Sequence, residues 1–173
     1  MEQELSAWPE GVQRVAAALR ALDHPHAPVL LNDAARTAQQ AADALGVSLG
    51  QIAKSIIFRR KSDDRAVLVI TSGDRRVDEV KVQALVCDAG ARLGRADANF
   101  VKSHTGFTIG GVAPLAHAIE PVTVIDRELF RFTEIWAAAG HPHAVFKLQP
   151  TDLERLTGAA AADVVEWVAV SSP

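Results

Sequence analysis

Two apolar runs, Ser55–Phe58 and Ala66–Thr71, flank the polar stretch Arg60–Asp64. Runs with almost no polar residues are what strands covered on both faces require. The stretch between them is short enough to close a hairpin, which makes the pair antiparallel. A doubly wound, all-parallel sheet is therefore excluded, and the fold expected is a mixed α/β (α+β) one. In it a curled, largely antiparallel sheet is surrounded by helices. The remaining pattern agrees. Val12, Val15, Ala16, Leu19 and Leu22 give a helix over about 9–22 one apolar face, and His24-Pro25-His26-Ala27-Pro28 breaks it. Val29–Leu31 follows as a short strand.

Thr37 with Gln40 forms a capping-box pattern for a second helix with Ala38, Ala41, Ala42 and Leu45 inward and Gly46 as its stop. Asp78 caps a third, with Val82, Leu85 and Val86 inward. A short helix runs over about Asp97–His104. Val122–Ile125 and Ala144–Leu148 read as strands. Thr151 and Glu154 repeat the capping spacing for a last helix ended by Gly158, and Val164–Val170 closes the chain as a strand.

With no repeat or linker in the sequence, the 173 residues are expected to form one domain with an extra N-terminal helix. Cys87 is the only cysteine, which excludes a disulfide framework and a thiolate metal cluster. It is expected in the core. No apolar run approaches the ~20 residues of a membrane span. The acidic start Met1-Glu2-Gln3-Glu4 is unlike a secretion signal, so a cytoplasmic place is expected. A net charge of -3 argues against broad, sequence-blind nucleic-acid binding. The cations are nonetheless clustered, first Arg59, Arg60, Lys61 and Arg65, then Arg75, Arg76 and Lys81. Such clusters are either solvated surface or a patch for a few phosphates.

The segment Thr105-Gly106-Phe107-Thr108-Ile109-Gly110-Gly111-Val112-Ala113-Pro114 carries the densest turn chemistry in the chain. Glycines without side chains let a ligand approach backbone N–H groups, so this loop is a candidate floor for a binding site. Lys54 stands at the entry of an apolar strand. It is either a lysine whose stem covers apolar surface or a fixed cation at a pocket mouth. His143, after Gly140-His141-Pro142, is held by a tight turn, as a backbone-bonded imidazole or as a site residue. His141 and His143 lack a carboxylate or cysteine to complete a metal set, and His104 and His117 lack the spacing. No Gly-x-Ser-x-Gly elbow occurs. Gly110-Gly111 is not followed by the lysine of a phosphate loop, and the glycine spacing is not that of a dinucleotide fold.

Five stretches, TAQQAADALGV from Thr37, IAKSIIF from Ile52, AVLVITSGDRRV from Ala66, TGFTIGGVAP from Thr105 and AGHPHAVFKL from Ala139, resemble the YbaK family in order and content. This family is also called the prolyl-tRNA-synthetase-associated editing domain. The resemblance implies a deacylase that hydrolyses the ester of a mischarged tRNA, often tRNA-Pro carrying a small amino acid such as Ala, Cys, Ser or Thr. It needs no cofactor or metal. Lys54 matches the family's active-site lysine. The loop residues Thr105, Gly106, Phe107, Gly110 and Gly111 match its pocket backbone, and Gly140 to His143 match a further wall. GHPHA is closer to the histidine-bearing alanine and serine/threonine editors than to the cysteine type.

In this reading the N–H groups of Gly110 and Gly111 donate to the oxyanion. Lys54 anchors phosphate or ribose, and His143 orients water or contacts the amino acid. Arg59, Arg60 and Lys61 contact the acceptor stem, and an aminoacyl-tRNA synthetase is a further partner. Two alternatives stay open: a module that binds aminoacyl-tRNA or a synthetase without hydrolysis, and a hydrolase of small aminoacyl esters.

Overall fold

The structure, a computed structural model, describes residues 7–32 and 35–168. Its central feature is the expected hairpin, longer at both ends than the apolar runs indicate. β2 (Ile52–Arg60) and β3 (Arg65–Ser72) pair antiparallel from Ala53 opposite Ser72 to Arg60 opposite Arg65. β3 is buried from Ala66 to Ser72. Leu68 and Ile70 enter the larger core, while Val67 and Val69 enter a smaller one on the opposite face. That two-sided burial explains its continuous apolar sequence.

The other strands extend this pair into one mixed sheet. They are β1 (Val29–Leu30), β4 (Leu93–Arg95), β5 (Val122–Asp126), β6 (Ile135–Ala138), β7 (Ala144–Leu148) and β8 (Ala161–Ala162). The order is β1-β7-β6-β2-β3-β5-β8, with β4 also on β2. The β2–β6, β3–β5 and β5–β8 joins are parallel and the rest antiparallel. β4, β6 and β8 have no counterpart among the strands expected from the sequence. Each is too short to show a period.

Among the described residues five α-helices flank the sheet. α1 (Glu10–Ala21) buries Val12, Val15, Ala16 and Leu19, with Val12, Val15 and Leu19 in the larger core, whereas Leu22, past its end, is exposed and not on the buried face as expected. α2 (Ala38–Leu45) starts at the expected Thr37–Gln40 box and stops at Gly46, whose φ is 69°. α3 (Glu79–Val86) is capped by the Asp78 carboxylate, which accepts from the Val80 and Lys81 amides. It packs through Val82 and Val86, so Leu85, ~60° around the helix from Val82, is exposed and not inward as expected. Cys87 sits half-buried just past this helix, outside both core clusters.

α4 (Ala98–Thr105) is capped by Asp97 and ends at Gly106. α5 (Pro150–Thr157) begins earlier than the Thr151–Glu154 spacing predicts. Gln149 and Asp152 make the capping box, and Pro150 takes the first helical position, where its missing N–H costs nothing. The closing strand is also shorter than expected. Val164 and Val165 are both buried, which the two-residue alternation of a one-sided strand forbids. Only the Val77–Val165 bridge forms there, and residues 169–170 lie outside the described residues.

At the end of β5 a fully buried carboxylate ties three elements together. Asp126 accepts from the Ser72 amide at 3.0 Å, the Thr71 hydroxyl at 3.1 Å and the Glu128 amide at 2.9 Å. Removing it strands two buried donors at the end of β3. Asp126→Ala is therefore expected to lower unfolding free energy by about 2–3 kcal/mol in urea titrations, and a loss under 0.5 kcal/mol would show that the network is not structural.

Candidate active site

One edge of β2 is shared by two short strands. β6 pairs only with Ile52 and Ala53, and β4 only with Phe58 to Arg60. Lys54 to Ile57 thus have no strand neighbour on that side, and a cavity of about 300 Å³ opens there. β2 supplies one wall through Ile52 to Ile56. The glycine loop supplies Ile109, Gly110 and Val112, and β6 supplies Trp136 to Ala138. The start of α2, with Pro142 and Val145, closes it. Walls of Ala, Val and Ile leave room for a small group only. Arg36 and Lys54 are the charged residues among the described lining, and no carboxylate lines it.

Lys54 and Gly110 therefore face one hollow, as the sequence reading requires. The Lys54 ammonium donates to the Arg75 carbonyl at 3.4 Å and has no carboxylate partner among the described residues. In the loop, the Gly111 amide donates to the Thr108 carbonyl at 3.0 Å, closing a turn with Gly110 at φ 92°. This is the position where a type II turn demands glycine. Gly110 keeps its N–H free of any partner among the described residues, whereas the Gly111 N–H is already used. Of the two amides expected to face an oxyanion, only that of Gly110 is thus uncommitted among the described residues. Gly111 has a packing role instead: a Cβ there would lie 2.8 Å from the His141 Cα.

Other expected pocket residues belong to the loop's support. Thr105 is fully buried, its hydroxyl donating to Val101 and accepting the Phe107 amide. Phe107 is a core residue. Gly106 ends α4 at φ 80°. None of the three lines the cavity. Gly140 and His143 stand behind its wall, and Pro142 and Val145 form the surface. The His143 amide donates to His141 Nδ1 at 3.1 Å, which locks the turn.

No function is legible in the N-terminal helix from its residues alone, yet α1 braces both walls. Arg14 donates to the Ala116 carbonyl at 2.8 Å and the Thr105 carbonyl at 3.0 Å, and its guanidinium lies 4.3 Å from the Phe107 ring centroid. It thus clamps both ends of the glycine loop. One turn earlier Gly11 meets Gly140 so closely that a Cβ on either would sit 2.3 Å from a carbonyl oxygen of the other. Sequence spacing hides these contacts, which span about a hundred residues.

The basic hairpin stands apart from the cavity. Arg59 pairs with Asp64, and Arg60 pairs with Asp63 while donating to the Val86 carbonyl at 2.8 Å. The hydrogen bond from Arg60 holds the Asp63 carboxyl down to about 2. The stem of Lys61 runs along Gly94. Two of the cations read as tRNA contacts are therefore already balanced within the hairpin by its own acidic residues at 63 and 64.

The aminoacyl-tRNA editing domain profile matches residues 32–156, and the chain belongs to that family. The chain is 34% identical over 121 residues to the uncharacterized protein YwhH of Bacillus subtilis (strain 168), covering 70% of this chain and 74% of that one. It is 30% identical over 145 residues to a proline–tRNA ligase of Bacillus licheniformis. That match covers 80% of this chain but only 22% of the ligase. A solved structure described as "a putative trans-editing enzyme for prolyl tRNA synthetase" superposes with a TM-score of 0.85 at 36% identity. It spans 93% of this chain and all of that one. Among the described residues no helix is long and apolar enough to cross a membrane.

His117 connects this loop to solution pH. Its Nε2–H donates to the Ala113 carbonyl at 2.6 Å, its Nδ1 is buried without a partner, and its ring meets Phe107 edge-on. Burial, opposed by the Ala113 hydrogen bond and aided by the Arg14 charge, holds it below the usual imidazole range. The unfolded chain therefore binds this proton more readily than the native one. The stability contribution is complete above pH ~6.5 and is lost as pH falls through the lowered native value. In thermal melts between pH 8 and 5, the advantage of the native protein over His117→Gln is expected to shrink with acidification. A difference constant with pH would mean that the folded ring binds its proton as readily as the unfolded chain does.

Proposed function

We propose that this chain is an aminoacyl-tRNA deacylase acting in trans, which removes a small amino acid from a mischarged tRNA, with tRNA-Pro the expected carrier. The observation that carries this reading is one small cavity shared by the Lys54 ammonium, which has no carboxylate partner among the described residues, and the Gly110 N–H, which has no partner among them. The family membership and the relation to proline–tRNA ligases support the substrate class. The amino acid occupies the apolar cavity, whose Ala, Val and Ile walls limit its size. Its α-ammonium meets no carboxylate among the described lining residues, so oxygen acceptors must receive it. Ser55, whose buried Oγ has no partner, is one such group.

Water adds to the ester carbonyl, the bond from carbonyl carbon to ribose oxygen breaks, and the water's proton ends on the ribose oxygen. Charge develops on the carbonyl oxygen in the transition state. A preorganised N–H such as that of Gly110 stabilises it by about 3 kcal/mol, and the Lys54 ammonium adds positive potential at the cavity mouth. The ester is already reactive, so positioning and charge stabilisation suffice without a protein nucleophile. A separate sieve is useful because one apolar pocket separates amino acids differing by a methylene by only about 1–3 kcal/mol.

Purified protein is to be assayed on tRNAs charged with alanine, cysteine, serine and threonine, beside a free aminoacyl ester. Lys54→Ala is expected to lose about 100-fold or more in deacylation with an unchanged thermal melt. Wild-type rates in that variant would remove the role given to Lys54. Binding of aminoacyl-tRNA without turnover would make the chain a binding module, and equal turnover of the free ester would make it a simple esterase.

A further inference from the structure

Lys54 and Ile56 line a second hollow, of about 260 Å³, on the α3 side of β2. Its chemistry differs from that of the first. Ile56, Phe58 and Val77 give an apolar floor, and Lys54, Arg75 and Arg76 bring three cations against one acid, Glu79. Arg75 is committed to Asp74 and Glu128 at 3.6 and 3.8 Å. Arg76 has an 85% exposed side chain and only a 3.7 Å pairing with Glu166. A solvated pair of that length holds a guanidinium weakly, so Arg76 is available to an incoming anion.

The chain after β8 runs back along this rim. The Glu166 amide donates to the Arg76 carbonyl at 2.8 Å, and the next residue, Trp167, is 83% exposed. An indole left open to water beside an available guanidinium, next to an apolar floor with cations above it, matches single-stranded nucleic acid. Bases stack on the ring and the backbone follows the charges.

We propose that this groove and Trp167 bind the unpaired 3′-terminal nucleotides of the RNA, with a phosphate on Arg76 and a base on the indole. The proposal rests on the deacylase reading for its geometry: an aminoacyl ester joins an apolar part to a nucleoside, and Lys54 stands where the two hollows meet. The surface is separate from the basic hairpin, whose charges are largely balanced.

The test is equilibrium dialysis of the trinucleotide CpCpA against the full chain at 50 and 200 mM salt. Because CpCpA carries no ester, the result is independent of hydrolysis. A chain that binds it through these residues but deacylates nothing keeps this surface and loses the hydrolytic reading. Arg76→Glu is expected to weaken binding about tenfold and to flatten the log–log salt dependence by about 0.7, as for one phosphate contact on a single strand. Trp167→Ala is expected to weaken it about tenfold without changing that slope, and Trp167→Phe to restore most of it. Both side chains are largely in solvent, so the variants are expected to melt as the native protein does. Native-like affinity in both Arg76→Glu and Trp167→Ala would overturn the proposal. So would no binding by the native chain at millimolar CpCpA, or AMP binding as tightly as CpCpA.

Discussion

The site exists because one strand edge is only partly paired. Backbone N–H and C=O groups in a sheet normally find a neighbouring strand, and an unpaired edge is a liability that folds cover. Here β6 covers the start of β2 and β4 its end, leaving Lys54 to Ile57 to face a hollow. The opposite edge of β2 is fully paired with β3, which is itself buried on both faces. The gap is therefore held open by a rigid partner and does not depend on loop mobility. That places Lys54 on a central strand of the sheet, with its side chain lining the cavity.

The glycine-loop half of the site is braced from outside the family's matched region. The glycine loop has few side chains with which to anchor itself, and α1 supplies what it lacks. Arg14 holds the Thr105 and Ala116 carbonyls, and His117 holds the Ala113 carbonyl. Each such bond has a net worth of only about 1 kcal/mol, but leaving a buried carbonyl unpaired costs more. The loop is thereby kept against the turn at 140–143, where Gly111 permits an approach to the His141 backbone that no side chain would allow.

Charge is arranged in the same economical way. Many cations are answered by a nearby acid, as in Arg59 with Asp64, Arg60 with Asp63 and Arg131 with Asp74. The exception that lines both hollows is Lys54. An overall acidic chain can thus present positive potential at one point without attracting polyanions over its whole surface, since exposed charges farther away are screened within about 10 Å.

Local chemistry determined much of this protein from the sequence alone. The β2–β3 hairpin, the Thr37 and Asp78 caps, the turns at Gly46 and Gly106, and the Lys54 and glycine-loop motifs all rest on residues within a few positions of one another. What only the tertiary structure decided were contacts between distant segments: the short β4 and β6, the Arg14 clamp, the Gly11–Gly140 approach, and Pro142 and Val145 lining the cavity while His143 stands behind it. It also decided that Gly111 donates within its turn while Gly110 does not, and that the hairpin cations are neutralised. The reason is physical. Periodicity and capping report the chain's own backbone needs, whereas a two- to four-residue strand or a carbonyl's partner is set by whichever segment folding brings alongside.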